Sequence, residues 1–359
     1  MHKDGRSAVR VITQIPNNDL RQAQKVAQLA EKAGFDAVVT AENAHNPFLP
    51  LAAAALATDR VQLGTAVAMA FPRSPTITAH NAWDLQKASN GRFILGIGSQ
   101  VKTHNERRFG IAWTPPMPRM RDYIGALHAI WRTWEKEVPL EYESKTYKLN
   151  LMTPNFSPRP AGLPRIPIAL ATVGPMMLRL AGEAADAVIL HPFSTKKYLM
   201  EVSTARLNEG LEKGGRAREN LEVIAGGYGF IATGRNAEAV EKARQYARYR
   251  ISFYCSTRAY WDVLRLHDLE WLGERLNPFP RENRWSEMAA QIPDDKIDLF
   301  ATVADYASLP DAIEARYGGY ADSVMLQISA DEDFEALGEC VRAIQKIPSR
   351  FKSYRATWD

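Results

Sequence analysis

Three short apolar runs end in residues that could share one chemical task. GFDAVVTAEN delivers Glu42 and Asn43, with His45 just beyond; RVQLGTAVAM delivers Thr65, Ala66 and Val67; GRFILGIGSQ delivers Gly98, Ser99 and Gln100. A partly desolvated carboxylate or imidazole can hold and move a proton near neutral pH. The other two run ends offer backbone and little side chain, a surface that suits a flat ring better than a metal. Farther on, Thr172-Val173-Gly174-Pro175 opens a helix. Free backbone N–H groups and the positive end of the helix dipole make such a turn an anion site, and proline at the first helical position gives up no needed donor. His191 closes a further apolar run. These are the parts of a site for a planar, phosphate-bearing molecule. Each part also has a plain structural reading: a carboxylate capping the next helix, small residues at a crowded strand end, an ordinary helix cap, a satisfied histidine.

Other chemistries lack their residues. Gly96-Ile97-Gly98 is not completed to a dinucleotide fingerprint, because position 101 is Val. There is no HExxH, CxxC or strand-end HxH, so no metal site is expected. No lysine lies inside an expected strand to form a Schiff base, and no GxSxG elbow occurs. His80 and His128 fall within helical patterns and read as structural. Lys102, His104, Arg107 and Arg108 form a polar cluster, either a solvated loop or a contact to a ligand. Arg248, Arg250 and Arg258 flank Tyr254, Ser256 and Thr257 and face the same choice.

The elements that must position these residues follow from periodicity. Strands are expected at Val9 to Ile15, Ala37 to Thr40, Val61 to Val67, Phe93 to Ile97, Ile168 to Ala171, Ala187 to Leu190, within Leu221 to Thr233, and at Ser323 to Gln327. Helices alternate with them: Leu20 to Ala33 between Asp19 and Gly34, Phe48 to Ala57, Pro75 to Ser89 behind Ser74, Arg119 to Trp134, Pro175 to Ala184, Lys197 to Lys213, Asn236 to Arg250, Asp311 to Tyr317 and Asp333 to Ile347. Eight strands alternating with helices imply an α/β fold, a (β/α)8 TIM barrel, in which every strand end named above reaches one rim. One domain over 1–359 is expected. Its insertions lie near 99–118 (a long loop with Trp113 and three prolines), 140–167 (a small hairpin and a proline-rich connector) and 252–300 (a helical segment).

Composition bounds the rest. Hydrophobic residues at 46% and charged residues at 24% are ordinary for a globular protein. A net charge of +4 without a basic stripe argues against nucleic acid. No apolar run is long enough for a membrane span. The polar start MHKDGRSAVR has no signal-peptide core, and Cys255 and Cys340 make neither a disulfide framework nor a metal pair. A cytoplasmic location is expected.

The segments GFDAVVTAENAHNPF, LGTAVAMAFPRSP, GRFILGIGSQVKTHNERRFG, ATVGPMMLRLAGEAADAVILHPF and FYCSTRAYWDVL, in this order and spacing, resemble the luciferase-like monooxygenase superfamily, and within it the oxidoreductases that depend on the deazaflavin coenzyme F420. The resemblance spans essentially the whole chain. It implies a bacterial-luciferase-like barrel with the coenzyme at the C-terminal rim, and a homodimer. The family places an acidic residue and often a histidine after the second strand; Glu42 matches the first, Asn43 follows it, and the histidine comes at His45. These two are the implied catalytic residues, His45 slightly ahead as proton donor. The implied coenzyme contacts are Asn43, Thr65, Ala66, Val67, Gly98, Ser99, Gln100, Thr172, Val173, Gly174, Pro175 and His191, with a cis peptide at Ala66–Val67. The implied activity is hydride transfer between the deazaflavin and a small organic substrate. The alternatives are an FMN-dependent monooxygenase of the same superfamily, a non-catalytic coenzyme carrier and a metal-independent barrel lyase.

Overall fold

The computed structural model describes residues 7–327, 333–355, 357 and 358; the first six residues of the polar N-terminal stretch lie outside them. Eight strands form the frame: β1 (Arg10–Gln14), β2 (Ala37–Thr40), β3 (Gln62–Thr65), β4 (Phe93–Gly98), β5 (Ile168–Thr172), β6 (Ala187–Leu190), β7 (Glu222–Gly226) and β8 (Ser323–Leu326). All neighbours pair in parallel and in chain order. β8 returns to β1, with Val324 opposite Val11, and closes the barrel. The strands are apolar runs buried on both faces, as a parallel sheet wrapped by helices requires.

Local chemistry sets the helices between them. The Asp19 carboxylate accepts from the Arg21 and Gln22 N–H groups at the start of α1 (Leu20–Ala33), and Gly34 ends it at φ 94°. Ser74 caps α2 (Pro75–Ala88) with Pro75 at its first position. Inside the barrel, Ile12, Ala37, Val39, Ile94, Ala169, Ala187, Ile224 and Met325 fill the lumen below Ala66, leaving a void of about 20 Å³. The floor is polar: Arg10 donates to buried Glu222 at 2.6 Å, and the Ser323 and Tyr354 hydroxyls donate to the same carboxylate. The strand C-terminal ends lie at the opposite mouth.

Several expectations need correction. The strand expected over Val61 to Val67 breaks at the Ala66–Val67 bond, which is cis, and resumes as Ala68–Met69 beside β4. The long loop after β4 contains a helix, Lys102–Arg107. It is held by the buried Asn105 amide, which donates to the Ser99 and Val101 carbonyls, local side-chain bonds that a loop reading from prolines alone does not weigh. The helix expected from Lys197 includes a π-helical turn, Leu199–Ser203. The run after β7 holds a second strand, Ile231–Gly234, which pairs with Thr302–Asp305 in a separate two-stranded parallel sheet. The helix Ala237–Cys255 and the shorter helices after it pack on that sheet around Phe193, Phe230, Ile251, Leu264, Leu272 and Phe300. No strand lies among residues 252–300, and Tyr142–Glu143 and Lys148–Leu149 form the expected hairpin.

Candidate functional site at the barrel mouth

The ends of β2, β3, β4, β5, β6 and β7 meet at one rim. Glu42, just past β2, is held rather than free: Arg73 grips its carboxylate with both terminal nitrogens, at 2.7 and 2.8 Å, and the Met69 N–H donates to it at 2.7 Å. The Glu42 N–H in turn donates to the Val67 carbonyl at 3.2 Å. Glu42 therefore pins the end of β2 to Val67 of the bulge and to the segment that follows it. Asn43 is exposed; its side-chain oxygen accepts from Asn17 and from the Ala44 N–H, and its carbonyl accepts from Arg108. His45 is exposed in the loop before the helix Phe48–Ala55.

The Ala66–Val67 turn lies at the centre. Its approach to β4 requires glycine. A Cβ on Gly96 would fall 1.7 Å from the Thr65 carbonyl oxygen, and one on Gly98 would fall 2.8 Å from a Val67 methyl. Thr65 ties the two strands through its hydroxyl, which donates to the Gly96 carbonyl at 2.6 Å. Ser99 and Gln100 follow, half-buried. Gln100 has a positive φ, and its amide lies 3.6 Å from the Met69 sulfur. The surface over this turn is thus backbone, two glycines and small side chains.

On the adjoining side, β5 ends at Thr172, and Gly174 starts the helix Pro175–Ala184 without any side-chain cap. The Thr172 hydroxyl is buried and has no hydrogen-bond partner, and the same is true of the Ser194 hydroxyl. Both border a cavity of about 20 Å³ that also touches Val173, His191, Tyr198 and Tyr260. A buried hydroxyl without a partner costs about 1–3 kcal/mol. Here it stands next to an uncapped helix start, where donors for an anion are already gathered. Val173 is exposed beside it.

His191, after β6, packs between Tyr254 and Tyr260, each with its ring centre 4.5 Å away. Burial, with the nearby Arg250 charge adding to it, lowers its pKa to about 3. Its Nδ1 accepts from the Phe193 N–H at 3.2 Å, which assigns the ring proton to Nε2. His191 is thus a neutral hydrogen-bond donor at working pH, not an acid.

Two groups at the mouth were not singled out from the sequence. Arg73 is the partner that fixes Glu42. Tyr228 sits in the turn Gly226-Gly227-Tyr228-Gly229, all four residues at positive φ, and points its hydroxyl at the Ala66 carbonyl, 3.4 Å away. Burial pushes that phenol up to about 12. The triple-glycine turn GGYG was the available signal, since left-handed backbone on this scale is built for a purpose. Lys102, His104, Arg107 and Arg108 lie on the outer side of the 102–107 helix and are exposed apart from the Asn43 contact. Among the described residues no group of three His, Cys, Asp or Glu could hold a metal, and no helix is long and apolar enough to cross a membrane.

Comparison with known proteins adds to this geometry. The family model described as luciferase-like monooxygenase matches residues 5–323. An uncharacterized protein of Mycobacterium tuberculosis is 39% identical over 91% of this chain and 94% of its own. A 5,10-methylenetetrahydromethanopterin reductase of Archaeoglobus fulgidus is 28% identical over 88% of this chain and 91% of its own. Among solved structures, the coenzyme F420 dependent tetrahydromethanopterin reductase of Methanopyrus kandleri superposes with a TM-score of 0.77 at 20% identity, covering 95% of this chain and 98% of that one.

Proposed function

This chain belongs to the luciferase-like monooxygenase family, a family of flavin- and deazaflavin-dependent oxidoreductases, and from that premise we propose that it is a coenzyme F420-dependent oxidoreductase acting on a small organic substrate. The observation that carries the proposal is the pairing, on one rim, of a bare backbone platform with an anion turn. The platform is Ala66, Val67 and Gly98; the turn is the uncapped helix start at Gly174 beside the unpartnered Thr172 hydroxyl. The deazaflavin is favoured over FMN because relatives named above act on tetrahydromethanopterin compounds or are F420 dependent by name.

In this reading the backbone N–H groups of Val173 and Gly174 and the Thr172 hydroxyl hold the coenzyme phosphate, and Pro175 sets the helix direction. Ala66, Val67 and Gly98 lie against the ring; Thr65 holds that surface in place, and Asn43, Ser99 and Gln100 border it with polar groups. When bound, the deazaflavin supplies the hydride chemistry. The neutral His191 offers its Nε2–H as a fixed hydrogen-bond donor. His45 takes the proton-donor role, because Glu42 is committed to Arg73 and Met69 and acts on the site by fixing the β3 bulge. The chain works as a homodimer in the same proposal.

The test is turnover. Purified protein loaded with reduced coenzyme is mixed with a panel of small aldehydes, ketones and enones, and oxidation of the coenzyme is followed by absorbance. Oxidation faster than in the protein-free control by at least one acceptor is expected. Tight binding of the coenzyme without turnover by any acceptor would instead point to a carrier.

A further inference from the structure

Among the described residues, one cation at the mouth, Arg250, has no counter-ion. Arg250 lies on the helix Ala237–Cys255, and its neighbours on that helix, Arg244 and Arg248, both pair with Asp294. Arg250 turns the other way. Its guanidinium stands 5.5, 5.6 and 5.1 Å from the ring centres of Tyr228, Phe253 and Tyr254, and one terminal nitrogen donates to the Tyr254 hydroxyl at 2.6 Å. Its Nε is buried without an acceptor, and among the described residues it makes no ion pair.

The groups facing this guanidinium are Tyr228, Phe253, Tyr254, Tyr260 and His191, and none of them is an anion. All three phenols are pushed upward by burial and stay protonated, while the positive charge helps to keep His191 neutral. Aromatic faces offset part of the cost of a half-buried cation, and apart from the bond to the Tyr254 hydroxyl they leave the planar fork of donors without acceptors. That fork matches a carboxylate or a phosphate, bound through two parallel hydrogen bonds. The position is also telling. Tyr228, under the guanidinium, reaches the Ala66 carbonyl, and Tyr254 packs on His191. Tyr228 thus links Arg250 to the platform, whereas in the proposed function the turn at Thr172 provides for the phosphate of a coenzyme.

We propose that Arg250 is a specificity-determining residue that anchors an oxyanion group, a carboxylate in the first instance, on the substrate. This rests on the oxidoreductase reading for the identity of the site but not for the anion preference itself. The substrate class is then an organic acid whose reacting carbon lies over the Ala66–Val67 turn while its carboxylate meets Arg250. The aromatic wall of Tyr228, Tyr254 and Tyr260 would accept an apolar or planar body between the two.

The experiment compares matched acids and amides. Benzoate and benzamide, and succinate and succinamide, are titrated calorimetrically into full-length protein, with and without bound coenzyme, for the wild type and for Arg250→Gln and Arg250→Lys. Wild type is expected to favour acid over amide by tenfold or more, Arg250→Gln to lose that preference, and Arg250→Lys to keep part of it. Unchanged thermal midpoints in both variants show that the change is local. Equal treatment of acid and amide by the wild type, absence of binding by both included, overturns the proposal. A second arm titrates the coenzyme with and without its anionic tail. If Arg250→Gln weakens only the tailed form, the guanidinium holds the coenzyme and the substrate assignment is overturned. If the wild type binds no coenzyme at all, the oxidoreductase reading fails while the acid–amide comparison still decides the role of Arg250.

Discussion

Arg73 and Glu42 form a two-point ion pair, at 2.7 and 2.8 Å, that locks the end of β2 against the bulge of β3. The side chains are 17% and 9% exposed, so each partner leaves a nearly buried charge when the other is removed.

Removing one member of such a pair costs about 3–5 kcal/mol when burial is complete and less where solvent reaches the pair. Glu42→Gln and Arg73→Met are therefore each expected to lower stability by about 2 kcal/mol, and the double variant by less than the sum. Urea unfolding of the four proteins checks this. Additive losses would show that the pair does not act as a unit.

Thr172→Val separates function from packing. A buried hydroxyl with no partner gives the fold nothing, so its replacement by an isosteric methyl is expected to leave stability equal or slightly higher. If the hydroxyl serves the coenzyme phosphate, affinity for the coenzyme falls by about tenfold, the worth of about 1.4 kcal/mol. Parallel thermal melts and coenzyme titrations read both quantities. Unchanged affinity would remove Thr172 from the anion site.

Gly98→Ala tests the platform. The new Cβ would meet a Val67 methyl at 2.8 Å, so the bulge must shift to admit it. The variant is expected to fold with a modest loss of stability and to bind the coenzyme poorly. Gly96→Ala, whose Cβ would strike a backbone oxygen at 1.7 Å, is expected to lose several kcal/mol through overpacking and backbone displacement, above the usual 1–3 kcal/mol. Soluble yield and unfolding midpoints rank the two. A Gly98→Ala protein with native affinity would mean that the ring does not lie there.

The pH dependence of stability has a definite sign. His191 is lowered to about 3 and His128, buried beside Arg165, to about 4. Between those values and the unfolded value near 6.5 the unfolded chain binds protons that the native chain does not. Each histidine thus contributes stability that is fully present above pH 6.5 and is lost as pH falls toward its folded value, with a slope of about 1.4 kcal/mol per pH unit per proton. His128→Asn and His191→Asn are each expected to flatten the acid limb of stability against pH. A slope unchanged in both would show that these rings take up protons in the fold as readily as out of it.

Much of the frame could be read from residues. Asp19 with Gly34, Ser74 with Pro75, and the short apolar runs of β2 and β6 carry their own boundaries, because caps and β-branched runs act locally. The bulge after Thr65 and the second sheet of Ile231–Gly234 with Thr302–Asp305 depend on partners 29 and 71 residues away in the chain, which periodicity does not report; the helix at 102–107 is too short to show a period and is held by local bonds from Asn105 to Ser99 and Val101. The candidate site divides the same way. Its strand-end residues follow from fold class, whereas the commitment of Glu42 to Arg73, the enclosure of His191 by Tyr254 and Tyr260, and the reach of Tyr228 to Ala66 are tertiary facts.

The central claim is that a deazaflavin binds between the Ala66–Val67 platform and the Thr172–Pro175 turn. Its most direct test is an equilibrium titration of the purified protein with coenzyme F420 and, in parallel, with FMN, each followed by fluorescence. Saturable binding of the deazaflavin at micromolar concentration, at least tenfold tighter than FMN and weakened by Thr172→Val, is the predicted result. Preferential binding of FMN, or no binding of either at micromolar concentration, would contradict the account.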